Sequence, residues 1–104
     1  MPNFMLTYLG TPQISSPEEK QDHMQKYHQW ITDLGDAALS AMNPLKNVSV
    51  VDSEGNITDG GETGMSGFTI VTADSVNAAL EIAQACPFLK VGGRLEVAQM
   101  IEMG

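Results

Sequence analysis

The chain has 104 residues, enough for one domain with a modest core, and we treat residues 1–104 as a single domain. Hydrophobic residues make up 42% and charged residues 17%, which is typical of a globular protein. The net charge is −8 and the basic residues stand singly, so we expect no nucleic-acid partner and no membrane-surface partner. One cysteine excludes an internal disulfide, and no apolar run is long enough for a membrane span. These features predict a cytoplasmic protein.

Two helices are predicted. The first covers residues 17–34, because Ser16-Pro17-Glu18-Glu19 is typical of a helix start and Gly35 of a helix end. The second opens at Asp74 and runs to about Ala85, ahead of a proline. The side chains predicted to be buried are Met24, Tyr27, Trp30, Ile31 and Leu34 in the first helix, and Val76, Ala79, Leu80 and Ala83 in the second.

Strands are predicted where short runs of aliphatic, β-branched and aromatic residues lie between turn residues. Residues 52–56 are turn residues between two such runs, which predicts a small hairpin. Residues 59–67 contain four glycines and predict a flexible loop. The predicted strands are residues 3–9, 37–42, 48–51, 57–58, 68–71 and 94–101.

Apart from the hairpin, this order of elements predicts a ferredoxin-like α+β fold, βαββαβ, with two helices on one face of a four-stranded antiparallel sheet. The first strand is apolar on both faces, with Phe4 and Leu6 on one and Met5 on the other. A contiguous exposed apolar patch usually marks an interface. We therefore expect a homodimer that packs sheet face against sheet face. The alternative is that these side chains lie around the edge of a half-open sheet.

Several short motifs follow one another along the whole chain. They are FMLTY in the first strand, Ser16–Glu19, Leu34-Gly35, Asn43-Pro44-Leu45, Asn56–Gly60, Gly67-Phe68, Ala85-Cys86-Pro87 and Gly93–Val97. In this order they resemble the YCII-related family, in particular its DGPF subgroup, within the dimeric α/β-barrel superfamily. The chain departs from that pattern after Gly60, where the family usually continues Pro-Phe and then E-T-K-E, and this chain has Gly61-Glu62-Thr63-Gly64-Met65.

The resemblance implies a ferredoxin-like domain that assembles as a dimeric α/β barrel and uses no cofactor. For some members it also implies a His–Asp pair in a cleft beside the first helix. Aligned through Gly35 and Ser40, the histidine corresponds to His23. Asp59 is the first candidate for the aspartate, and Asp36 is the second.

His23 has two interpretations from the residues alone. It lies one turn before Tyr27, beside the side chains of the first helix that are predicted to be buried. Partial burial there would shift the pKa of the imidazole into a range that suits acid–base chemistry. Alternatively it is a surface histidine that hydrogen-bonds to Asp22, Glu19 or a loop carbonyl. His28 is about 140° away around the helix, so the two imidazoles do not share a face and no metal site is predicted there.

The other candidates also have structural interpretations. Asp59 precedes a glycine and Asp36 follows one, and both are typical turn residues. Cys86 stands at the end of a helix, where the helix dipole raises the pKa of a thiol. We interpret Cys86 as a packing residue.

Three functions are compatible with these residues. The first is a cofactor-independent enzyme, in which His23 and Asp59 act on a small polar or aromatic substrate in a cleft between the first helix and the sheet. The second is a non-catalytic module that binds a small ligand or a protein. The absence, after Gly60, of the family's Pro-Phe and Lys slightly favours this second function. The third is a structural homo-oligomer without a ligand.

Overall fold

A computed structural model describes residues 1–102, and their fold is α+β. A four-stranded antiparallel sheet carries two helices. A separate two-stranded hairpin lies, in chain order, between the second and the third strand of this sheet. The elements are β1 (Asn3–Leu9), α1 (Pro17–Leu34), β2 (Ala38–Pro44), β3 (Ser49–Val51), β4 (Ile57–Asp59), β5 (Met65–Thr72), α2 (Val76–Gln84) and β6 (Arg94–Gln99), with 3-10 turns at Gly35–Ala37 and Pro87–Val91.

The strand order in the sheet is β2-β5-β1-β6, and every neighbouring pair is antiparallel. Leu6 at the centre of β1 lies opposite Thr69 of β5 on one side and Val97 of β6 on the other. The arrangement is compatible with the ferredoxin-like fold that the order of elements predicts. The predicted hairpin is confirmed as β3 and β4, which form a sheet of their own.

The core lies between the sheet and the two helices. Alternation along β1 turns Phe4, Leu6 and Tyr8 toward the helices, and all three are buried. Tyr27 and Trp30 of α1 close the core from the helix side, as predicted. Ala79 and Ala83 of α2, Val71 of β5 and Phe88 also belong to this buried cluster.

The start of α1 follows from local chemistry. The hydroxyl of Ser16 accepts a hydrogen bond from the backbone N–H of Glu19 at 3.1 Å, which caps the helix. The Glu19 carboxylate accepts in turn from the N–H and the hydroxyl of Ser15. Gly35 adopts φ 56° and ends the helix, so the predicted bounds of α1 are confirmed. Neither helix of residues 1–102 is long and apolar enough to cross a membrane.

Several predicted bounds are wrong. β5 begins at Met65 inside the predicted loop, because pairing with β1 and β2 extends it through Gly67. α2 begins at Val76, since the hydroxyl of Ser75 accepts from the N–H of Ala78 and caps the helix one residue after Asp74. Further differences are that β2 covers Ala38–Pro44 and β6 ends at Gln99. Of the side chains predicted to be buried, Val76 and Leu80 are exposed, and Met24, Ile31 and Leu34 are partly buried.

The second face of the sheet carries apolar side chains that the helices do not cover. Phe68 and Ile70 alternate with the buried Thr69 and Val71, so they lie on the opposite face of β5. Met5 pairs with Ile70 and lies on that same face. All three are only partly buried. The molecule is a slab of 44 × 43 × 18 Å.

Candidate functional site

A cleft of about 220 Å³ opens between α1 and the ends of β1, β2 and β5. Most of its wall is apolar or aromatic, and Asp, Glu, Lys and Arg are absent from its lining residues. Asn43 and Ser66 supply its uncharged polar groups. The side chains that define its chemistry are Tyr8, His23, Met24, Tyr27, Met42 and Phe88.

Three backbone elements bring the aromatic rings together. Tyr8 stands on the core face of β1, and its ring packs edge-on against Phe88 with centroids 5.2 Å apart. Tyr27 meets Tyr8 in the same edge-on geometry at 6.2 Å. His23 lies one helical turn before Tyr27, and the two ring centroids are 6.4 Å apart. The imidazole therefore borders an aromatic wall.

Two glycines allow this close packing. A Cβ at Gly67 would lie 3.0 Å from the carbonyl oxygen of Asn43 and 3.4 Å from the ring of Tyr8. A Cβ at Gly93 would overlap the ring of Phe88. Gly93 needs glycine because the ring of Phe88 already occupies the space of a side chain, and at Gly67 an added Cβ would press on the backbone of β2.

Tyr8, Tyr27 and Thr69 bring three hydroxyl groups together behind the cleft. The oxygens of Tyr8 and Tyr27 are 2.8 Å apart, and Tyr8 also hydrogen-bonds to the hydroxyl of Thr69. Thr69 donates to the carbonyl oxygen of Ala41 at 2.6 Å. The Tyr27 hydroxyl lies 3.2 Å from that same carbonyl. The cluster therefore links β1, α1, β5 and β2.

The hydroxyl protons of this cluster form hydrogen bonds to oxygen atoms of the same cluster. Each hydroxyl has one proton to donate, and Thr69 gives its proton to Ala41. Tyr8 can donate to Thr69 or Tyr27, and Tyr27 can donate to Tyr8 or Ala41. Every arrangement that satisfies these contacts keeps all three protons within the cluster. Its unused hydrogen-bonding capacity consists of oxygen lone pairs.

Burial raises the pKa of Tyr8 far above the ordinary value of a phenol, although the hydrogen bond between Tyr8 and Thr69 opposes the shift. Tyr8 therefore stays neutral throughout the physiological range. A phenolate base at this position is excluded, and Tyr8 acts only as a neutral hydrogen-bonding group.

His23 is the titratable side chain among the cleft's lining residues whose ordinary pKa lies near neutrality. Burial lowers its pKa from the ordinary 6.5, while the charge of Asp22 opposes the shift. Asp22 forms an ion pair with Lys26 at 3.0 Å, and Glu19 hydrogen-bonds to Ser15. The two carboxylates that the surface interpretation offered to His23 thus have other partners. The lowered pKa favours the neutral form of the imidazole.

Neither predicted aspartate lies among the residues that line the cleft. Asp59 is exposed on β4, where it pairs with Ser49 of the hairpin. Asp36 is exposed in the 3-10 turn after α1. Within residues 1–102, neither aspartate forms a hydrogen bond or ion pair with His23, so the His–Asp pair stays a prediction. Cys86 is buried, as predicted for a packing residue.

Sequence reasoning did not single out Tyr8 or Thr69 for the site. Thr69 is 61 residues from Tyr8, so no local pattern relates them. One signal was available: Gly67, Thr69 and Val71 share the core-facing side of β5, and a threonine there needs a hydrogen-bond partner. Phe88 follows Cys86-Pro87 in a 3-10 turn and shows no periodicity of its own.

No family model matches the chain, and neither does any curated protein. The resemblance to the YCII-related family therefore stays a prediction. Among residues 1–102, no group of three His, Cys, Asp or Glu side chains is placed to hold a metal ion.

Proposed function

We propose that this protein binds a small, uncharged, largely apolar molecule in the cleft beside α1. The observation that carries the proposal is the position of His23, a neutral imidazole at the border of an aromatic wall. The cleft volume of about 220 Å³ suits a ligand of about one aromatic ring with a short substituent.

The residues that line the cleft disfavour a charged ligand. A carboxylate or phosphate needs a cation or several free N–H or O–H donors, and the lining residues include no Lys or Arg. The protons of Tyr8 and Tyr27 are engaged inside the hydroxyl cluster. The neutral imidazole of His23 offers one acceptor nitrogen and one N–H. A ligand with one hydroxyl or N–H donor fits this set.

Two matched fragments test the proposal. Phenol is uncharged with one hydroxyl, whereas benzoate has a similar ring and a negative charge. In backbone-amide NMR spectra, phenol at millimolar concentration is expected to shift the resonances of Tyr27 and Gly67, and benzoate is not. Equal binding of both fragments, or phenol shifts scattered over the surface, would contradict an uncharged-ligand site in the cleft.

An enzyme is the second candidate function, favoured by the lowered pKa of His23. A general base must be unprotonated at the working pH, and this imidazole meets that condition. A screen for turnover of small aromatic substrates distinguishes the two functions. The enzyme requires that His23→Gln abolish turnover while His28→Gln retains it. Turnover that survives in His23→Gln would exclude the histidine base.

We also propose that two copies of the chain pair through the uncovered sheet face. A folded monomer of 11.2 kDa exposes about 5,700 Å², whereas this chain exposes 7168 Å². The difference, about 1,500 Å², falls within the roughly 1,000–2,500 Å² that each subunit of an obligate dimer buries. Phe68 and Ile70 are already partly buried, so covering each of them fully stabilises the assembly by less than the roughly 1.5–3 kcal/mol of a fully exposed side chain.

Sedimentation velocity tests the dimer with a matched pair of variants. The wild-type chain is expected at twice the monomer mass of 11.2 kDa. Ile70→Lys, on the uncovered face, is expected to give monomers, and Leu80→Lys, exposed on α2, is expected to stay dimeric. A wild-type monomer at tens of micromolar would contradict the proposal.

Such a pair of subunits would agree with the dimeric α/β barrel that the YCII resemblance implies. Membership of that family, the ferredoxin-like classification and a cytoplasmic location belong to the same proposal. Of these, the ferredoxin-like classification is supported by the antiparallel order β2-β5-β1-β6 and by the position of both helices on one face.

A further inference from the structure

The β3–β4 hairpin is well formed but packs mainly on itself. Ser49 pairs with Asp59, Val50 with Thr58 and Val51 with Ile57. Its turn is fixed by the carboxylate of Asp52, which accepts hydrogen bonds from two backbone N–H groups at 2.9 Å each. Neither strand joins the main sheet, and contacts with other elements are few. The segment is a projecting arm with a defined shape.

An isolated two-stranded hairpin is marginally stable in water. This one exposes its apolar pair, since Val51 is 63% exposed and the facing Ile57 is 73% exposed. The radius of gyration shows how far the chain extends: it is 15.1 Å, against about 13 Å for a compact domain of this length. The hairpin thus has the shape and surface of an element that is completed by another molecule.

The hairpin leaves the sheet beside other exposed apolar residues. Leu45 and Met65 flank it, are 38% and 36% exposed, and are held close by the bond from Leu45 N–H to the carbonyl of Ser66. Met65 belongs to β5, the strand that carries Phe68 and Ile70 on the uncovered face. Exposed apolar side chains therefore lie at both points where the hairpin segment leaves the sheet.

We propose that the β3–β4 hairpin is an intersubunit arm that packs Val51 and Ile57 against a second copy of this chain. The inference rests on the homodimer proposed above. A second copy is the occupant because the surface excess of about 1,500 Å² matches one dimer interface per chain, and the hairpin contributes to that excess. Two copies of net charge −8 repel each other, so their contact must rely on apolar side chains such as these.

The test replaces both apolar side chains while keeping the strand propensity. The double variant Val51→Thr, Ile57→Thr retains β-branched residues in both strands. Sedimentation equilibrium is expected to give a dissociation constant at least tenfold higher than that of the wild type, with an unchanged far-UV circular dichroism spectrum. Val76→Thr, which changes a 49% exposed valine on α2, is the matched control and is expected to leave dimerisation unchanged.

The possible outcomes distinguish a failure of the arm proposal from a failure of the homodimer proposal. A wild-type chain that sediments as a monomer overturns the homodimer and the arm together. A wild-type dimer whose dissociation constant is unchanged in the double variant overturns the arm alone. If the double variant fails to fold, amide hydrogen exchange of the wild-type protein tests the arm instead. If the hairpin is an intersubunit arm, its amides become more protected as the dimer forms. Protection that does not change with protein concentration overturns the arm, as does a hairpin protected only by a different added protein.

Discussion

The phenol oxygens of Tyr8 and Tyr27 lie 2.8 Å apart, and this contact joins the end of β1 to α1. Thr69 of β5 and the carbonyl of Ala41 of β2 complete the cluster. The wall of the cleft is therefore held by hydrogen bonds as well as by packed rings.

Removing one member of the hydroxyl cluster should weaken the fold moderately. Tyr8→Phe deletes a hydroxyl, but Thr69 and Tyr27 keep the carbonyl of Ala41 as acceptor. We expect the free energy of unfolding to fall by about 1 kcal/mol in urea denaturation. Thr69→Val should cost more, since it leaves Tyr8 with Tyr27 as its remaining partner. Equal urea midpoints for all three proteins would show that the cluster adds nothing to stability.

His23 should make stability depend on pH in a defined direction. The folded chain holds its pKa below 6.5, so the unfolded chain binds a proton first as the pH falls. The contribution of His23 is therefore complete above about pH 6.5 and is lost as the pH falls through the folded pKa. Urea denaturation between pH 5 and pH 8 measures it. His23→Gln should remove this contribution, and His28→Gln, on the exposed side of α1, is the control. Parallel pH profiles for wild type and His23→Gln would refute the shift.

Cys86 should be chemically inert in the folded protein. Burial raises the pKa of its thiol to about 11, so little thiolate is present at pH 8. Reaction with a disulfide reagent such as DTNB should be at least tenfold slower in buffer than in denaturing urea. Because Cys86 is the one cysteine of the chain, the signal reports this site alone. Equal rates in the two solutions would mean that the thiol is accessible.

Gly93 should be needed for the wall of the cleft. A methyl group there overlaps the ring of Phe88, which would have to move. Gly93→Ala is expected to lower the free energy of unfolding by about 1–3 kcal/mol and to weaken phenol binding. Gly61→Ala is the control for an added methyl group outside the cleft, because its Cβ meets the side chain of Val48 and not the ring of Phe88. Unchanged phenol binding in Gly93→Ala would place the ligand away from Phe88.

Local chemistry explains why parts of the fold were predictable. The bounds of α1 follow from Ser16 at one end and the positive φ of Gly35 at the other. The hairpin follows from turn residues that fold back on themselves through Asp52. Both signals lie within a few residues of the structure they produce.

The cleft was not predictable in the same way because distant segments build it. Thr69 meets Tyr8 only after β5 pairs with β1, and Gly67 joins that strand because β2 and β1 flank it. The resemblance led to His23, which does lie in the cleft, and also to Asp59, which lies on the exposed hairpin. The position of a loop aspartate depends on how the hairpin projects, and no local pattern in the sequence fixes that.

An NMR titration of the His23 imidazole, with and without phenol, probes the site itself. The free protein should show a pKa below 6.5, and phenol should lower it further, because a ligand that donates to the imidazole stabilises its neutral form. A pKa at or above 6.5 that phenol does not change would contradict a ligand site built around a neutral His23.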